Sequence, residues 1–347
     1  MIGFTGLLSF LSEGNVIMPI TSVTVRKRSY SQFKTFGMCP RKWWLSRRYD
    51  PKLKSSALAE GDLFHIALAK YYAQNDKKAG MDSLTAVAEE YRLQTEEAGA
   101  SDAVREKLDT KINLLYTMAE MYFDQIAIRD HTRFEILAVE KPFSFKISED
   151  LQIDGFIDMI VRDRVTGARY IGEHKYQTDF DEELLALDLQ STIYVSSQIP
   201  EFGILPVIYN VTRKPQYRQG KKETRPEFLV RAKKAALEEM MGWNGYQPNE
   251  FSSKFFERRV FSRGRTDMAS CLAQMIGQDK MMQIVEANPM HASRNVGDQC
   301  LYFCPFKSIC IDEDPLAVEN FFVDKWAQQP SNVQTPAAPQ KNTRFTI

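Results

Sequence analysis

The chain carries no surplus of either charge, no long apolar run and few cysteines. Its 45 Lys and Arg are matched by 45 Asp and Glu. That balance excludes a uniformly basic nucleic-acid coat, although local patches stay open. No stretch reaches the roughly 18 apolar residues a membrane helix needs, so no membrane partner is expected. Five cysteines in 347 residues are an odd set and do not make a secreted disulfide framework. The apolar run at residues 4–11 is short and has no basic flank before it, which makes it a poor signal peptide. A G-x-x-x-x-G-K-[ST] run is missing, so the chain has no phosphate-binding motor loop of its own. Internal repeats are absent too.

What charge there is sits unevenly. Residues 25–49 hold Arg26, Lys27, Arg28, Lys34, Arg41, Lys42, Arg47 and Arg48 with no acidic residue, beside Tyr30, Phe33, Phe36, Trp43 and Trp44. Residues 213–225 hold Arg213, Lys214, Arg218, Lys221, Lys222 and Arg225 against Glu223 alone, with Tyr217 among them. Cations next to flat rings suit a backbone-and-stacking grip on single-stranded nucleic acid. A solvated loop and an ordinary amphipathic helix explain the same patterning.

The apolar periodicity changes along the chain. Phe33, Phe36, Trp43 and Trp44 fall on helical spacing, with Ser29 or Ser31 as cap. Residues 57–72 read as a second helix with Leu58, Leu63, Phe64, Ala67, Leu68 and Tyr71 on one face. Helices near 82–95 and 102–128 follow, the latter with Ser101 as N-cap. Residues 134–139, 142–147, 151–162 and 170–176 are strand-like, with turns at 148–150 and 166–167. A helix at 182–198, a strand at 205–212, a strand starting near Val260 and a helix at 267–287 complete the pattern. Helices first, then a meander, a helix and a further strand, point to a mixed α/β core with helical additions.

The chemistry concentrates in two neighbouring strands. In IDGFIDMIV, Asp158 sits among Ile157, Met159, Ile160 and Val161. A carboxylate is costly to bury there unless something cationic meets it. In YIGEHKY, Glu173 and Lys175 share one face and His174 points to the other. Lys175 or a divalent ion would serve as the cation. Oxygen ligands with a dry wall suit Mg²⁺ or Mn²⁺ better than zinc. A simple interstrand ion pair remains the other reading of the same residues.

GDLFH (61–65), GFID (155–158), EHK (173–175) and QSTIY (190–194) follow one another in an order that resembles the PD-(D/E)XK nucleases, RecB-like branch. The likeness runs from about Ser29 to Cys310. Cys39 and the downstream trio Cys300, Cys304 and Cys310 resemble the cysteine pattern of iron–sulfur members, among them AddB-type helicase-nucleases and CRISPR-adaptation nucleases. The resemblance implies a restriction-endonuclease-like mixed central sheet flanked by helices. It implies Asp158 and Glu173 as metal ligands, with a further contact from His65. Lys175 would orient or deprotonate the attacking water, and Gln190 and Tyr194 would touch the substrate strand. Glu140 falls where some members carry another acidic group. The third motif has Glu before its lysine, a variant the family allows.

Thiolates select zinc or iron–sulfur clusters. One candidate ligand here lies about 260 residues from the other three, which suits a staple between the chain's two ends. The resemblance implies a 4Fe–4S cluster at Cys39, Cys300, Cys304 and Cys310; zinc or unligated thiols are the alternatives. The trio is spaced by three and five residues, where many members have two and five. Cys271, within a helical pattern, reads as a core residue.

The expected organisation is a flexible extension at 1–20 with Met18 as a candidate start, one nuclease domain at 21–325, and a disordered tail at 326–347. Within the domain, 29–130 is helical, 131–215 holds the catalytic sheet, and 226–325 holds helices and the cysteine cluster. The expected function is metal-dependent exonucleolytic hydrolysis of single-stranded or end-bearing DNA in recombination, repair or replication. A separate helicase or recombination protein would be a partner, and a bacterial or phage-infected cytoplasm the setting. The alternatives are a catalytically idle DNA-binding module and a CRISPR-adaptation subunit.

Overall fold

The computed structural model describes residues 25–53, 56–302, 304–314 and 316–327. The expected extension at 1–20, the start at Met18 and nearly all of the expected tail lie outside those residues.

The chain enters through a short strand, β1 (Arg26–Arg28), then α1 (Tyr30–Met38), α2 (Pro40–Arg48) and β2 (Tyr49–Pro51). Three long helices follow: α3 (Ser56–Gln74), α4 (Lys77–Glu97) and α5 (Asp102–Tyr122). A five-residue π-helical segment, Phe123–Ala127, leads into α6 (Ile128–Arg133). The meander β3 (Phe134–Ser148), β4 (Leu151–Asp163) and β5 (Arg169–Gln177) comes next, then α7 (Glu182–Ala186), α8 (Leu189–Phe202) and β6 (Val207–Arg213). The remainder is α9 (Arg225–Glu239), β7 (Phe251–Ser252), β8 (Phe256–Phe261), α10 (Arg265–Ala287), three short helices α11 (Asp298–Tyr302), α12 (Lys307–Cys310) and α13 (Ala317–Phe321), and β9 (Phe322–Asp324).

The main sheet is mixed, in the order β1-β4-β5-β6-β8-β7, with β3 antiparallel to β4. β5 and β6 run parallel, so the chain must cross over between them, and α7 and α8 make that crossover. One face of the sheet packs on α3, α4 and α5 through a core that includes Phe64, Tyr122, Met159 and Ile208. The other face packs beneath α8 through Ile160, Ile171, Val195 and Val211. A third cluster joins α1, α2 and α10 through Phe36, Trp43 and Met275. This is a mixed α/β architecture with helices on both faces of a central sheet, as the sequence pattern implies.

Several boundaries differ from the sequence reading for local reasons. The first helical segment is two helices, because the residue before a proline is driven out of the helical region. Cys39, before Pro40, adopts φ −163° and ψ 111° and ends α1 while capping α2. The segment at 182–198 is also two helices, since Asp188 caps α8 by accepting the N–H of Gln190. Residues 134–148 form one continuous strand, with register shifts between Ile136 and Ala138 and between Lys146 and Ser148. Val260 lies near the end of β8 rather than at its start. No helix among the described residues is long and apolar enough to cross a membrane.

Candidate active site

β4 keeps β3 along one side for its whole length. Its other side is divided: β1 covers Leu151–Ile153 and β5 covers Met159–Arg162. The segment 154–158 has no strand partner on that edge among the described residues. β5 parts from β4 at Gly172, opposite Met159, and continues beside β6. Glycine is needed at the parting point, because a Cβ on residue 172 would lie 2.5 Å from the Met159 side chain. Asp158 and Glu173 are the first residues past it, so two carboxylates face a fork between strands.

Three elements close on Asp158. The backbone N–H of His174 donates to its Oδ2 at 2.8 Å. Nδ1 of His65, on α3, lies 3.4 Å from the same oxygen. Glu140 enters from β3, where the flanking pairs Val139 with Met159 and Lys141 with Ile157 place it opposite Asp158. Its φ of +48° is in the left-handed region, which costs an ordinary residue roughly 1–2 kcal/mol and concentrates at functional sites. Ligand atoms of His65, Glu140 and Asp158 all lie within 4.8 Å of one another. The group could hold a divalent ion, and its two carboxylates favour Mg²⁺ or Mn²⁺.

Glu173, expected among the ligands, lies beside this trio and pairs with Lys175. Its Oε1 accepts Lys175 Nζ at 2.6 Å, while Oε2 is buried with no hydrogen-bond partner. A buried, unpartnered carboxylate oxygen beside a carboxylate–imidazole group is what a cation would satisfy. Burial, then repulsion from Asp158, lifts the Glu173 carboxyl to about 7. Burial also opposes a charged Asp158, but His65 and the His174 amide outweigh it and hold that carboxyl well below its usual range. Two neighbouring carboxyls pushed apart in this way are typical of a reactive site.

Lys175 links the fork to α8. Besides Glu173, its Nζ donates to Oε1 of Gln190 at 2.8 Å, and Nε2 of Gln190 donates to Tyr194 Oη at 2.6 Å. Burial works against the ammonium, but Glu173 and Asp188 more than offset it and its pKa is raised. The structure therefore brings His65, Asp158, Glu173, Lys175, Gln190 and Tyr194 into one connected cluster.

Two members were missed by sequence reasoning. Asp188 lies 3.7 Å from Lys175 and accepts Tyr30 Oη at 3.0 Å and Tyr209 Oη at 3.2 Å. Arg263 braces the same turn by donating to Ala186 O, Leu185 O and Ser191 Oγ. The helix cap hidden inside 182–198 is the one signal that could have found Asp188.

Behind the fork, His174 stacks on Tyr72 at 5.5 Å and meets Tyr122 edge-on. Burial lowers its pKa to about 4. Beside it, Asp130 is held by Arg258 at 2.7 Å and by the hydroxyls of Tyr72 and Tyr246. The ion pair and hydroxyls around Asp130 fix the layer on which β5 rests.

The four singled-out cysteines, Cys39, Cys300, Cys304 and Cys310, line one small cavity with Lys42, Leu45 and Phe306. All are free thiols. Cys39 Sγ accepts the N–H of Lys42 at 3.4 Å at the start of α2, and burial pushes the Cys304 thiol up. β2 pairs with β9 beside them, so both ends of the described chain meet here. Cys271 is buried in the α10 core, as expected.

Four arginines of the basic segment 25–49 are held in ion pairs, while Lys27 and Lys34 are exposed. Arg28 bonds Asp279 and Glu286, Arg26 bonds Asp150 and Asp279, Arg47 reaches Glu286, and Arg48 bonds Asp324. Phe33, Phe36 and Trp43 are core residues. Arg26 and Arg28 tie β1 to α10, Arg47 ties α2 to α10 and Arg48 ties α2 to β9, so these arginines are engaged within the protein rather than held out for a substrate strand.

Among family models, one described as the PD-(D/E)XK nuclease superfamily matches residues 27–311. No curated protein matches the chain.

Proposed function

The chain belongs to the PD-(D/E)XK nuclease superfamily, and on that premise we propose that it is a RecB-like, metal-dependent DNA exonuclease with a 4Fe–4S cluster. The observation that carries the reading is the fork itself. His65, Glu140 and Asp158 converge there, with Glu173 and Lys175 beside them.

When bound, a divalent ion makes an attacking hydroxide available near neutral pH and offsets charge on the phosphoryl oxygens. His65, Glu140 and Asp158 would hold it, with Glu173 Oε2 turned toward it. Lys175 stays protonated between Glu173 and Asp188, so it positions water and supports the phosphate as a cation. Gln190 fixes the Lys175 ammonium and is itself held by the hydroxyl of the buried Tyr194, so Tyr194 positions Gln190 rather than meeting the substrate strand. The reading takes residues 21–325 as one nuclease domain.

The cysteine site supports the cluster through its donor set: four free thiols around one cavity, three from the C-terminal segment and one from the N-terminal helices. Its role is structural, holding α1 and α2 against the C-terminal segment. A brown protein with bound iron is expected; zinc in place of iron would contradict the cluster assignment.

Linear and circular single-stranded DNA, incubated with Mg²⁺ or Mn²⁺, test the exonuclease reading. Linear DNA is expected to be degraded from an end while circles survive. Equal loss of both forms would make the enzyme an endonuclease.

A further inference from the structure

The basic segment at 213–225 has a different fate from the first one. Lys214 and Arg218, just past β6, meet Lys107 and Lys111 of α5 across a cavity of about 430 Å³. Thr110, Thr178 and Gln216 add polar groups to its wall. At its base, the buried carboxylate of Glu60 binds Lys111 at 2.7 Å and Lys214 at 2.9 Å. One anion thus fixes two cations, and neither Lys107 nor Arg218 has a carboxylate partner among the described residues. The cavity carries an uncompensated positive charge that an anionic ligand would complete.

Its position links it to the fork. Glu60 and His65 are on the same helix, five residues or about 7.5 Å apart along its axis. Tyr176, next to Lys175, forms another wall and lies under Lys214. Between cavity and fork comes Gly61, four residues before His65 and therefore on the same face of α3. A glycine inside a helix weakens it unless something needs the space. Among the described residues nothing does: a Cβ on residue 61 would meet no atom within 4 Å.

We infer that the cavity of Lys107, Lys111, Lys214 and Arg218 is a subsite for a non-scissile phosphate of the bound nucleic-acid strand, which runs from the fork across Gly61. The inference rests on the nuclease reading and deepens it. Close approach of a sugar-phosphate backbone explains the bare helix position, and the paired lysines explain why Glu60 is buried beneath them.

Binding of a labelled single-stranded oligonucleotide, with no divalent ion added, tests this without reading cleavage. The exposed pair Lys107→Gln and Arg218→Gln, combined, is expected to weaken binding about tenfold at low salt. The slope of log K against log salt should become shallower by about 0.7, the share of one phosphate contact on a single strand. Gly61→Leu, and Gly61→Ala beside it, should keep or raise the melting temperature while weakening binding. Wild-type affinity and slope in the double variant, or no binding by the parent protein, would overturn the subsite; wild-type affinity in both Gly61 variants would overturn the path. A protein that binds in this way but never cuts sinks the nuclease reading alone.

Discussion

The carboxylate of Asp158 in β4 accepts the backbone N–H of His174 in β5 at 2.8 Å, just where the ladder between the two strands ends. A side chain takes over the hydrogen bond a third strand residue would have made, and it holds the fork open at a fixed width. The same oxygen faces His65. Asp158→Asn keeps an acceptor for the amide but removes the charge. Its melting temperature should stay within a few degrees of the parent, while cleavage falls by about 100-fold or more. Calorimetry and an oligonucleotide assay measure the two separately, and parental activity in this variant would remove Asp158 from the chemistry.

Glu140 stores backbone strain at φ +48° for the sake of where its carboxylate points. Asn tolerates that conformation better than Glu. Glu140→Asn should therefore be as stable as the parent or more so, by up to about 1 kcal/mol. Its activity should drop by about 10- to 100-fold, at least the cost of losing an outer partner of a metal site. Denaturant melts paired with activity decide it; a variant that is both less stable and fully active would contradict the account.

How far the sequence itself led depends on the interaction. Asp158, Glu173 and Lys175 were legible because strand alternation and an apolar setting single them out. The cysteine set was legible from residue type. Asp188 and Tyr30 were not, because their roles arise from a helix break and from contact across about 160 residues. Composition misled for residues 25–49: the buried acids that neutralise Arg26 and Arg28 lie in α10, far along the chain. Glu140 reaches His65 and Asp158 through a left-handed backbone conformation, and only the family resemblance pointed to it.

The cysteine cavity lies between α2 and the C-terminal segment, which also meet through β2 with β9, through Leu45 and Tyr49 with Phe306 and Phe322, and through the ion pairs of Arg48 with Asp324 and Lys325 with Asp50. Where metal binding contributes folding energy directly, removing one thiol should unfasten that corner. Cys304→Ala is expected to be insoluble or to be cut rapidly by protease near its C-terminal segment, with a destabilisation on the order of several kcal/mol. A soluble, protease-resistant and fully active variant would end the staple account.

His174 gives a pH signature. Its folded pKa is about 4, below the ordinary 6.5 of an unfolded histidine. Between those values the unfolded chain binds a proton that the folded one does not. Its contribution is therefore complete above about 6.5 and is lost as pH falls toward 4, by up to about 3 kcal/mol. His174→Phe keeps a flat ring that cannot be protonated. The stability difference between parent and variant, measured from pH 7 to 4, should move in the variant's favour on acidification. A difference independent of pH would show that His174 is not buried in its neutral form.

The most direct test of the central claim is cleavage of an end-labelled single-stranded oligonucleotide by the metal-free protein, before and after adding Mn²⁺, alongside Lys175→Ala. The account predicts no cleavage without the ion, cleavage with it, and loss of about 100-fold or more in the variant. Cleavage that ignores the ion, or that is equal in parent and Lys175→Ala, would contradict a catalytic site at the β4–β5 fork.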